Sequence, residues 1–132
     1  MSNAPDRPRP AGGRRWAPVA VWTLVLLVLT SWPRPPVPLA LRSSDKVVHA
    51  TLYGVLAYLV VGALRAGPAT PARRAVQLLV TIVAVSAFGW GDEWHQQFIP
   101  GRSRDSADWL ADTLGAVGGA ALALARPARR LA

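Results

Sequence analysis

DKVVHATLYGVLAYLVVGAL, residues 45–64, is the stretch from which the architecture can be read. From Val47 to Leu64 it holds no Asp, Glu, Lys or Arg, and its apolar residues fall on every helical face. A helix of that kind is buried on all sides or immersed in lipid. Its polar residues crowd the start: Asp45, Lys46, then His49 and Tyr53 one and two turns on. Three further runs repeat the pattern, Trp16–Trp32, Ala75–Trp90 and Ala107–Ala125. They are somewhat shorter than the roughly 20 residues that a bilayer-spanning helix needs, so flanking residues must complete each span. Four consecutive apolar helices in a soluble protein would need a polar shell that 132 residues do not contain. The expected fold is therefore all-α: an integral membrane bundle of four transmembrane helices, over about 16–32, 46–65, 74–97 and 105–125.

Proline and glycine punctuate the runs. Residues 1–15 are rich in Pro, Gly and Arg without periodicity and read as a disordered cytoplasmic tail. Residues 16–130 form the membrane domain. Pro33-Arg34-Pro35-Pro36 ends the first run and Gly67-Pro68-Ala69-Thr70-Pro71 separates the second from the third. The third pattern carries on toward Phe98 before Pro100-Gly101 stops it. The first run exceeds the length of a signal-peptide core and lacks a small-x-small cleavage site after it, so it reads as retained.

The chain carries 15 Lys and Arg against 7 Asp and Glu, and it has no Cys. Cysteine absence excludes disulfides. The basic residues sit in the gaps between apolar runs rather than along one amphipathic face. That is a topology signal, not a nucleic-acid surface. The tail, the 65–74 loop and the C-terminus hold ten of the basic residues, and the opposite loops hold five. The positive-inside rule places both termini in the cytoplasm of a multi-pass cell-membrane protein. Six of the seven acids fall on the other, outward side.

Some of those acids have plain structural readings. Asp45 and Asp105 open helices and suit capping, with Asp108 as a capping-box partner for Asp105. Others resist such readings. Asp92 and Glu93 lie near the C-terminal end of a helix, where the dipole disfavours negative charge. Asp112 stands two turns inside the fourth run, so it is expected to face protein and to have a partner among Arg102, His49 and Lys46. His49 sits about 6 Å below the helix start. It reads either as satisfied by a neighbour or as part of a site, and Tyr53 either as an interfacial aromatic or as a member of the same face. Beside Asp112 runs Ala111, Gly115, Gly119, Ala123, a spacing that lets another helix approach closely, here within one chain before any homodimer.

These residues together resemble the VanZ-like family of small bacterial membrane proteins. The carrying motifs are Asp45-Lys46-x-x-His49 with Tyr53-Gly54, Asp92-Glu93-x-x-Gln96, Pro100-Gly101-Arg102-Ser103, and Asp108 with Gly115 and Gly119 behind it. The resemblance implies a bacterial membrane protein acting near the cell envelope. The family takes its name from resistance to the glycopeptide teicoplanin, a property that does not extend to every member. Asp112 is a departure, since the resemblance leads one to expect Asn there.

The expected site is an outward polar pocket of Asp45, Lys46, His49, Tyr53, Asp92, Glu93, Gln96, Arg102, Ser103, Asp108 and Asp112. Lys46 and Arg102 suit an anionic lipid head group or envelope precursor. The second reading is an enzyme with His49, Asp92 or Glu93 as acid or base. No Cys and no elbow motif supplies a nucleophile. A His/Asp/Glu set could instead hold a divalent metal, although no HExxH-like spacing supports one, and no cofactor is expected. The third reading is a small oligomeric transporter, although no inverted repeat is visible. The oligomeric state stays open. The lipid bilayer is the one partner the chain requires.

Overall fold

The computed structural model describes residues 12–33, 45–65 and 70–126. Most of the expected tail, the loop after Pro33, the Gly67-Pro68-Ala69 break and the last six residues lie outside them. The described residues are all-helical: α1 Gly13–Thr30, α2 Asp45–Leu64, α3 Pro71–Gln96 and α4 Ser106–Ala125.

Helix boundaries follow local chemistry more than hydropathy. α1 starts three residues ahead of Trp16 and takes in Arg14 and Arg15, because arginine is a good helix former. Thr70-Pro71, read above as part of a break, instead opens α3. The Thr70 side chain accepts the Arg73 N–H at 3.2 Å, and proline occupies the first turn, where its missing N–H costs nothing. At the other end α3 stops at Gln96 rather than Phe98. Ile99-Pro100-Gly101-Arg102 then reverses the chain, with the Arg102 N–H donating to the Ile99 carbonyl at 3.0 Å and Gly101 at φ 80°. Proline followed by a left-handed glycine is the pattern of a type II turn.

α2 is the central helix. It packs most extensively on α4 and also touches α1 and α3. Gly115 and Gly119 of α4 lie directly on the α2 backbone at Ala50 and Gly54, where a Cβ would collide with main-chain atoms. The small-residue series thus joins α2 to α4 inside one chain. Leu26, Tyr53, Leu56, Ala57, Val61, Val85, Ala116, Ala120 and Ala123 make the core. Outside it the surface is greasy, with Val21, Leu24, Val47, Leu79, Val83, Leu114 and Leu122 all exposed.

α2 and α3 are long and apolar enough to cross a membrane, and only 33% and 28% of their apolar windows are buried within the chain. The core helix of a soluble protein would be mostly buried. α1 carries Arg14, Arg15 and Pro18, and α4 carries Asp108 and Asp112; these residues lower their hydropathy and keep both below the same measure.

Candidate polar cleft at one end of the bundle

The antiparallel run of helices brings the end of α1, the start of α2, the end of α3 and the start of α4 together. A cleft of about 420 Å³ opens there. Asp45, His49, Tyr53, Gln96, Arg102, Ser103, Asp105 and Asp108 line it, and Leu29, Val48 and Leu52 form an apolar wall. Lys46 stands at the rim. Asp92, Glu93 and Asp112 lie beneath, buried.

Each acid has found a different answer to its burial. Asp92 faces α1 and α2: Thr30 donates to Oδ1 at 2.8 Å, and Tyr53 and Gln96 donate to Oδ2 at 2.8 and 3.2 Å. Glu93, one residue on, turns to the α3–α4 loop and accepts the Asp105 N–H at 2.8 Å. The two neighbouring carboxylates therefore diverge instead of facing each other. Asp112 Oδ1 meets His49 Nδ1 at 2.9 Å, which selects His49 from the three partners considered. Its Oδ2 has no hydrogen-bond partner among the described residues. A buried polar atom without a protein partner is costly.

Asp105 caps α4 as expected, accepting the Ala107 N–H at 2.8 Å. Asp108 does not complete a capping box. The Asp105 N–H that a capping box would use goes to Glu93, and Asp108 instead accepts from Lys46, which also bonds Asp105 at 2.7 Å. The Lys46 ammonium and the Ala107 N–H hold the Asp105 carboxyl below the usual carboxylate range. Asp45 is the first residue of α2 and lines the cleft. Arg102 folds back over the turn and donates to Gln96 Oε1 at 2.7 Å. Ser103 is exposed at the mouth. Tyr53 is 1% exposed and stacks on His49 with centroids 6.4 Å apart, so it is a buried member of the site and not an interfacial aromatic.

The residues expected to form the site thus gather at one end. Residues 15–126 match the model of the VanZ/LLP1 family. The chain belongs to the VanZ/LLP1 family. No curated protein and no solved structure matches it. The match encloses the whole cleft, and family and apolar helices together mark a membrane protein.

Two features of this VanZ/LLP1 protein were not read from its sequence. Thr30, at the end of an apolar run, supplies a donor to Asp92 across 62 positions. Nothing around Thr30 signals that role. Two three-residue groups, Asp45–His49–Asp108 and His49–Glu93–Asp112, place one nitrogen or oxygen ligand atom from each member within 4.8 Å of the others. Linear motifs cannot reveal such groups, because their members come from two or three helices.

Proposed function

We propose that the protein crosses the membrane four times with both termini in the cytoplasm, and that its cleft faces outward to receive the anionic head of a lipid or lipid-linked envelope precursor. The supporting observation is the make-up of the cleft. One wall is apolar, with Leu29, Val48 and Leu52, while the floor and rim hold Arg102, His49, Ser103 and the acids. An amphipathic ligand has both parts. Arg102 uses one nitrogen on Gln96 and keeps other donors for a phosphate or carboxylate. Trp16 and Trp32, exposed at opposite ends of α1, suit the two headgroup levels.

The test is binding of a polyprenyl diphosphate, against the uncharged polyprenol, to the full chain in nanodiscs. The diphosphate should bind more tightly, and Arg102→Ala should weaken it by about 10- to 100-fold, the worth of a charged hydrogen bond, at unchanged protein abundance. Equal binding of the charged and uncharged compounds would end this reading. A role in glycopeptide resistance predicts that expression in a susceptible host raises the inhibitory concentration of teicoplanin and that Arg102→Ala abolishes the rise.

One observation favours a catalytic second reading. Asp112 holds His49 by Nδ1, so Nε2 faces Asp108 across the cleft, placed to exchange a proton with a bound ligand. Asp92 is a weaker candidate than it looks in the sequence, because both its oxygens are occupied. Release of phosphate from the same diphosphate, abolished in His49→Ala, would support catalysis.

A further inference from the structure

We propose that Asp45, His49 and Asp108 form a divalent-cation site in the cleft, with Asp112 as the positioning residue behind the histidine. This goes beyond the headgroup reading and does not depend on it.

His49 carries the argument. Its residue is 8% exposed, yet Nε2 has no hydrogen bond among the described residues. It points across the cleft to Asp108 Oδ2, 3.8 Å away. On the other side of the ring, Nδ1 meets the Asp112 carboxylate at 2.9 Å. A carboxylate accepts, so Nδ1 carries a proton, and an ion bound at Nε2 would take the place of any proton there. A carboxylate behind a histidine in this way is the usual support of a metal-binding imidazole.

Distances and charge agree. Two ligands bound to one ion at about 2.0–2.2 Å stand about 3 to 3.5 Å apart. The gap between His49 and Asp108 closes to that with a shift of a few tenths of an ångström. Asp45 brings its ligand atom within 4.8 Å of both. Lys46 bonds Asp108 Oδ1 and leaves the facing Oδ2 available. Among the described residues at this end, Asp45, Asp92, Glu93, Asp105, Asp108 and Asp112 outnumber Lys46, Arg102 and Arg104, so added positive charge is favourable here. The deeper group with Glu93 and Asp112 is a poorer host. Glu93 Oε2 and His49 Nδ1 are already bonded, and neither Glu93 nor Asp112 lines the cleft through which an ion would enter.

One imidazole and two carboxylates suit Mn²⁺ or Zn²⁺ better than Ca²⁺ or Mg²⁺, which favour all-oxygen sites. The open cleft leaves further positions for water or for an anionic ligand.

The experiment titrates MnCl₂ and ZnCl₂ into the full-length chain, purified in detergent and stripped with chelator, by calorimetry and by electron paramagnetic resonance of Mn²⁺. The expected result is one ion per chain, not displaced by equimolar Mg²⁺, with a nitrogen coupling in the Mn²⁺ spectrum. Asp108→Asn and Asp45→Asn should each weaken binding at least tenfold. Asp112→Asn should weaken it by about 10- to 100-fold without removing a ligand. His49→Ala should abolish the nitrogen coupling. Should His49→Ala not fold, the wild-type spectrum carries that point alone. No stoichiometric binding, binding without nitrogen coupling, or full affinity in the aspartate variants would overturn the proposal. No lipid is present in this titration, so failure of the headgroup reading leaves its outcome unchanged.

Discussion

Asp112 and His49, 63 positions apart in the chain, share a 2.9 Å contact between Oδ1 and Nδ1 with both side chains buried. Removing one partner of a buried ionisable pair strands the other. Asp112→Ala should therefore destabilise the protein by about 3–5 kcal/mol. Asp112→Asn keeps an acceptor on Nδ1 and should cost far less. Thermal unfolding of the two variants in detergent measures the difference, and equal losses would show that the hydrogen bond does not matter.

The α2–α4 contact rests on missing side chains. A Cβ on Gly115 or Gly119 would strike the backbone of Ala50 or Gly54, which has no rotamer to yield. Gly115→Ala should cost about 1–3 kcal/mol or more, as overpacking does. Gly118, on the same helix, has open space around it. Gly118→Ala should be neutral or stabilise by up to about 1 kcal/mol through helix propensity. Size-exclusion profiles after a heating series would rank the two, and similar behaviour would argue against so tight a contact.

Tyr53→Phe deletes only the hydroxyl that donates to Asp92 Oδ2, leaving Gln96 as that oxygen's donor. The expected loss is about 1–3 kcal/mol, because Asp92 stays buried. The stacked ring on His49 is kept. Paired unfolding curves should show a larger loss for Thr30→Val than for Tyr53→Phe, since Thr30 is the one donor to Oδ1 among the described residues while Gln96 remains on Oδ2; a larger loss for Tyr53→Phe would contradict this geometry.

Sidedness has a direct reporter. The chain has no Cys, and Ser103 is exposed at the mouth of the cleft. Ser103→Cys in intact cells should react with a membrane-impermeant maleimide, whereas Arg73→Cys should react only after permeabilisation. The reverse pattern would invert the topology proposed from the positive-inside rule.

The lysine clasp at the rim should respond to acid. Asp105 titrates below its ordinary range of about 3.9, held there by Lys46 and by the Ala107 N–H. A carboxyl depressed in the folded state contributes stability that is complete above the ordinary value and is lost as pH falls through the lowered one. Asp105→Asn should therefore flatten the part of the stability profile that declines below about pH 4. An unchanged profile would show that the clasp adds nothing.

Four apolar runs, the breaks between them and the lopsided distribution of acids could be read along the chain because each depends on local composition. Helix class and the gathering of Asp45, His49, Glu93 and Asp108 near one end follow from that alone, once antiparallel neighbours are assumed. Partnerships do not. Whether Asp112 meets His49, Arg102 or Lys46 depends on the angular register of α4 on α2, which the contacts of Gly115 and Gly119 set. Adjacent Asp92 and Glu93 turn to different elements because a helix rotates successive side chains by about 100°. Thr30 becomes a donor to Asp92 only where α1 closes on α3. Hydropathy is a property of segments, whereas convergence of side chains is a property of the packed bundle and emerges only when the helices dock.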